Sequence, residues 1–154
     1  MYYTWLSKAL EENFEPIRLL KRSERGMVTL IRHRATKQLF VLRSFTGNAE
    51  VYRKLLNCQC PCLPTVYELA SDGDQHLVLE EYIQGDNMGT MLKSSLFSSD
   101  ETKHIVCQLC HALWALHSMG AIHRDVKPEN VVLRGRADRR CVSFRRKKTG
   151  SFLA

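Results

Sequence analysis

The chain has 154 residues, 44% hydrophobic and 25% charged. That composition fits a globular domain with its own core and excludes collagen-like, disulfide-scaffold and disordered classes. No apolar run approaches the ~20 residues that a membrane-crossing helix needs. The amphipathic, acidic start MYYTWLSKALEENFEP lacks the layout of a secretory signal, so a cytoplasmic protein is expected.

Residues 4–12 have helical spacing (Trp5, Leu6, Ala9, Leu10), and Pro16 is expected to end that helix. Three apolar runs follow at 17–20, 27–32 and 39–43, separated by polar turns, and predict an antiparallel meander. Residues 48–56 place Val51, Leu55 and Leu56 at helical spacing, as a short helix packed on the sheet would. Residues 66–70 and 76–82 flank Ser71-Asp72-Gly73-Asp74, a turn-forming cluster, and predict a hairpin. A further short helix is expected over 88–96. Ser98, with Glu101 three residues later, predicts a capping box at the start of a long helix whose apolar face is Ile105, Leu109, Ala112, Leu113 and Leu116. Gly120 can take the left-handed conformation that stops it. A polar loop and the strand-like run 131–133 follow.

The six cysteines lie at Cys58, Cys60, Cys62, Cys107, Cys110 and Cys141. Small buried thiols are the plain reading. Four thiolates from the first two clusters on a zinc ion are the alternative.

The net charge of +7 is unevenly placed. Residues 1–133 carry 15 basic and 15 acidic groups, whereas 134–154 carry eight basic groups and Asp138 alone. A neutral body with a basic, poorly ordered tail, in which Phe144 is the only aromatic before Phe152, argues against nucleic acid as a partner.

The sharpest signal is His123-Arg124-Asp125-Val126-Lys127-Pro128-Glu129-Asn130. It resembles, at every defining position, the catalytic loop H-R-D-x-K-P-x-N of eukaryotic-type serine/threonine protein kinases. It also stands where such a loop belongs, after a long amphipathic helix and before a short strand. The resemblance implies an α+β fold: a kinase N-lobe of five antiparallel strands plus helix C, then the first C-lobe helix and the catalytic loop, with the C-lobe incomplete. The segments implied are an N-terminal helix (1–13), the N-lobe (14–83), the start of the C-lobe (84–133) and the tail (134–154).

The same resemblance implies ATP-dependent phosphoryl transfer to Ser/Thr hydroxyls of a protein substrate, with ATP and magnesium as cofactors. Asp125 would orient the attacking hydroxyl and accept its proton, Lys127 would neutralise the transferring phosphoryl group, and Asn130 would ligate magnesium. The stretch 76–86 looks like the last N-lobe strand and hinge. Backbone at Glu81 to Ile83 would meet adenine, and Asp86 would meet ribose. Glu50 matches the helix-C glutamate that grips the strand-three cation; its other reading is an exposed helix-face carboxylate.

Several positions depart from the family pattern. The glycine-rich loop keeps only Gly26 and Val28, with Lys21 and Ser23 at the first two glycine positions. Lys21, Arg22 and Arg25 either compensate electrostatically or are solvated turn residues. Arg43 replaces the strand-three lysine, which predicts weakened turnover with nucleotide binding retained. Ser143, in Ser143-Phe144-Arg145, stands where the magnesium aspartate is expected, and a neutral hydroxyl is a poor magnesium ligand. The family match decays after Leu133, where the charge balance also breaks. A disrupted reading frame, giving an inactive truncated kinase, is therefore expected. The alternative is a short pseudokinase that docks a partner without catalysis. The face of the 98–119 helix that would meet the rest of a C-lobe is expected to be exposed and to favour self-association.

Overall fold

The computed structural model describes residues 1–134 and 141–144. The chain divides into two compact units: residues 1–57 with 65–82, and residues 58–64 with 83 onward.

The first unit is a five-stranded antiparallel sheet. Its strands are β1 (Phe14–Ser23), β2 (Gly26–His33), β3 (Leu39–Thr46), β4 (Val66–Asp72) and β5 (Gln75–Glu81), in the order β1-β2-β3-β5-β4. The expected meander and hairpin are both present. Alternation along the strands separates two faces. One carries Ile31, Leu42, Leu77 and Leu79 and packs against Leu6 and Leu10 of helix α1 (Tyr2–Asn13). The N-terminal helix is thus part of this unit's core. The other face carries Val41, Arg43, Phe45 and Val78. It receives the short helix α2 (Glu50–Leu55) through Tyr52, whose ring lies 5.3 Å from that of Phe45.

Pro16 does not merely stop α1, which ends at Asn13; it lies inside β1. That strand is at the sheet edge, where a missing N–H is tolerated, and its register shifts between Pro16 and Arg18. Arg32 Nε donates to Glu15 at 2.7 Å across β1 and β2 and holds the Glu15 carboxyl below its ordinary range. A depressed carboxyl stabilises the fold above the ordinary range, and this link is lost as pH falls through the lowered value.

Gly26 explains itself by packing. Its φ is +155°, and a Cβ there would overlap the Ser44 carbonyl and lie 2.7 Å from Phe45 Cα. A glycine is needed where β2 crosses this closely onto β3.

The second unit holds α3 (Met88–Met91), α4 (Ser99–Ser118) and a three-stranded sheet of β6 (Asp86–Asn87), β7 (Val131–Arg134) and β8 (Cys141–Phe144), in the order β6-β7-β8. The capping box forms as expected: Glu101 N–H donates to Ser98 Oγ at 3.2 Å, and Ser98 N–H donates to Glu101 Oε2 at 2.9 Å. Gly120, at φ +71°, ends the helix, and Ala121 N–H returns to the Leu116 carbonyl at 2.9 Å. Ile105, Ala112 and Leu116 are buried, while Val106 and Trp114 are exposed. The helix expected over 88–96 shrinks to α3. Cys141–Phe144 pairs with β7, so four residues of the segment read as a tail form a strand; positions 135–140 and 145–154 lie outside the described residues. Of the described cysteines only Cys62 is buried, and Cys107 and Cys110 are exposed on α4, which corrects the buried-thiol reading for that pair. No helix among the described residues is long and apolar enough to cross a membrane.

Candidate active site

In the second unit the octapeptide 123–130 runs from α4 to β7. His123 is buried and its Nδ1 accepts from Asp125 N–H at 3.3 Å. Arg124 holds φ +58°, a left-handed conformation that costs a non-glycine residue about 1–3 kcal/mol. Lys127 is extended, Pro128 opens a 3-10 turn over Pro128–Asn130, and Asn130 N–H closes it on the Lys127 carbonyl at 3.0 Å. Proline suits that first position because its φ is already set and no donor is lost.

These local features bring three predicted residues together. Asn130, 1% exposed, donates through Nδ2 to the Asp125 carbonyl at 2.7 Å and to Asp125 Oδ2 at 2.9 Å. Lys127 Nζ lies 3.1 Å from Asp125 Oδ1. Both carboxylate oxygens of Asp125 therefore have fixed partners, while its side chain keeps 28% exposure. An acceptor held in one orientation, partly open to solvent and beside an ammonium group, is suited to receive a hydroxyl proton next to a negatively charged group.

In the first unit Val28 and Arg43 face one another directly across β2 and β3. Arg43 is 7% exposed, and its Nε is hydrogen-bonded to Oε1 of Glu80, which is 1% exposed. Register explains the pairing: Arg43 lies opposite Val78 and Val41 opposite Glu80, so the two side chains are diagonal neighbours on one face. The expected Arg43–Glu50 grip is not what the fold builds. Glu50 opens α2, and its carboxylate lies 3.5 Å from Arg53 Nη1 and 3.9 Å from Lys54 Nζ, both on its own helix. That agrees with the helix-face reading.

Glu80 was missed by sequence reasoning, although a signal exists. Two adjacent glutamates in one strand must point to opposite faces, and whichever carboxylate faces the core needs a cation. Glu81 takes the other direction: its N–H donates to the Thr65 carbonyl at 2.8 Å, and its Oε2 accepts from Thr65 N–H at 3.1 Å. Ile83 is buried in the second unit, and Asp86 pairs in register with Leu133. Ser143 stands opposite Val132 in β8. A cavity of about 350 Å³ between α1 and the sheet, lined by Leu10, Phe14, Leu42 and Leu77 among others, lies on the face away from Arg43.

Magnesium asks for a near-octahedral set of oxygens, with carboxylates among them. The loop offers Asn130 Oδ1 and an Asp125 carboxylate already held by Asn130 and Lys127. No cluster of three or more His, Cys, Asp or Glu that could hold a metal occurs among the described residues. These donors fit a magnesium ion poorly.

A family model for the protein kinase domain matches residues 18–144, which include β2 to β5, most of β1 and the octapeptide. The chain belongs to the protein kinase domain family. This kinase domain is 27% identical over 140 residues to the serine/threonine-protein kinase cot-1 of Neurospora crassa, covering 82% of the chain and 23% of the relative. It is 27% identical over 143 residues to the mitogen-activated protein kinase kinase SIPKK of Nicotiana tabacum, covering 86% of the chain and 40% of the relative. It is 36% identical over 78 residues to the ovarian-specific serine/threonine-protein kinase Lok of Drosophila melanogaster, covering 50% of the chain and 16% of the relative. The kinase domain described here thus spans less than half the length of each of these relatives. The five-stranded α+β sheet unit and the catalytic-loop motif are those of a serine/threonine-kinase-like domain. At the level of the family, membership implies the use of ATP and magnesium.

Proposed function

We propose that this chain binds ATP on its sheet unit and carries a catalytic loop for phosphoryl transfer to Ser or Thr hydroxyls of proteins. The observation that carries the reading is the Asp125–Lys127–Asn130 constellation, in which one carboxylate is oriented by an amide and flanked by an ammonium. Asp125 takes the hydroxyl proton as the oxygen–phosphorus bond forms. The bond from the terminal phosphorus to the leaving diphosphate oxygen breaks, and Lys127 stabilises the negative charge on the transferring group. Arg43, beside Val28, supplies positive charge for the ATP phosphates. Gly26, the backbone at Glu81 and Ile83, and Asp86 complete the nucleotide contacts by resemblance.

Turnover by this chain is weak or absent. Arg43 stands for lysine, Ser143 for the magnesium aspartate, and the loop alone is short of magnesium donors. The test is transfer of labelled terminal phosphate from ATP to a Ser/Thr-rich protein substrate. Asp125→Asn keeps the size of the side chain and removes the base, so whatever transfer the wild-type chain shows is expected to fall about 10²–10⁴-fold. Equal transfer by wild type and Asp125→Asn would refute the role given to this loop.

A further inference from the structure

We propose that Glu80, not Glu50, is the carboxylate that positions Arg43 toward nucleotide phosphates. This deepens the ATP-binding reading and rests on it. Three observations carry it. The Arg43–Glu80 pair is a buried ion pair on the sheet face where α2 sits, at 7% and 1% exposure. Its partners belong to adjacent strands of one sheet, at diagonal register positions. Glu50, by contrast, is tied to Arg53 and Lys54 on its own helix and keeps 44% side-chain exposure.

The arrangement also gives a reason for arginine at position 43. A guanidinium is a planar fork with five donors, so its Nε edge can hold a carboxylate while its other nitrogens remain oriented by that contact. A lysine ammonium is a single point and cannot divide its two tasks in this way. Arg43 and Glu80 therefore form one coupled device: the cation is aimed by two strands of a sheet instead of by a helix. A consequence is that the aim of Arg43 does not depend on where α2 lies.

The experiment compares binding of ATP and of adenosine, which lacks phosphates, by the full chain. Equilibrium titrations use wild type, Glu80→Gln and the double variant Arg43→Met with Glu80→Leu. Wild type is expected to prefer ATP over adenosine at least tenfold. Glu80→Gln should weaken ATP at least tenfold and leave adenosine within twofold, because only phosphate recognition runs through Arg43. The double variant replaces the pair by apolar groups and should fold, bind adenosine and lose the preference for ATP. It decides the matter if Glu80→Gln does not fold. A Glu80→Gln chain that binds ATP as wild type does, or that loses ATP and adenosine alike, overturns the role of Glu80 while leaving the ATP-binding reading intact. A double variant that keeps the preference overturns it equally. A wild-type chain that binds neither compound overturns both.

Discussion

Glu80→Leu is expected to destabilise the sheet unit by about 3–5 kcal/mol, the usual cost of removing one partner from a buried ion pair. Arg43 is 7% exposed and would be left charged against Val41, Phe45 and Val78 with its Nε bond lost. Adding Arg43→Met should recover most of the loss. Two buried charges are then replaced by apolar groups of similar length, and the desolvation cost of both disappears. Native-state hydrogen exchange at the backbone amides of Leu42 and Leu79, which lie in β3 and β5, reads this unit without mixing in the second. Protection that is unchanged in Glu80→Leu, or no better in the double variant than in the single one, would contradict a buried, mutually compensated pair.

The second large effect concerns Gly26. Gly26→Ala is expected to cost about 2–5 kcal/mol, combining backbone strain at positive φ with overpacking against a neighbouring strand. The added Cβ would meet the Ser44 carbonyl and the Phe45 backbone, neither of which can move without shifting β3. Gly73, also at positive φ but with nothing within 4 Å of an added Cβ, is the control. Gly73→Ala should lose only the conformational part, on the order of 1 kcal/mol. Thermal unfolding of both variants checks the difference. If Gly26→Ala melts no lower than Gly73→Ala, close approach of β2 and β3 is not why position 26 is glycine. A chain that retained only the third glycine of a phosphate loop has thus retained the one that its own sheet requires.

Much of this architecture was legible from local chemistry. Ser98 and Glu101 announce a helix start because both halves of the capping box lie within four residues. The hairpin of β4 and β5 follows from alternation around a turn-forming cluster. Asp125, Lys127 and Asn130 were found through the resemblance of the octapeptide to the kinase catalytic loop, and they lie within six residues, so the 3-10 turn that Pro128 opens is enough to return Asn130 to Asp125. What escaped depends on long-range register. Arg43 and Glu80 are 37 residues apart, and their contact exists only once β3 and β5 are aligned. Glu50 was assigned to Arg43 by the family resemblance, which gives a position on a helix but not the direction in which this chain turns the carboxylate. Pro16 misled for a related reason: whether a proline ends a segment or sits in an edge strand depends on which strand has no outer neighbour.

The central claim is that the α2-bearing face of the sheet meets ATP, with Arg43 as its phosphate contact. Amide chemical-shift mapping of the isotopically labelled chain during an ATP titration tests it most directly. The account predicts saturable shifts at Gly26, Val28, Arg43, Glu81 and Ile83, with the Arg43 shift absent when adenosine is used instead. Shifts confined to the opposite face around Leu10, Phe14 and Leu42, or no saturable shifts at millimolar ATP, would contradict it.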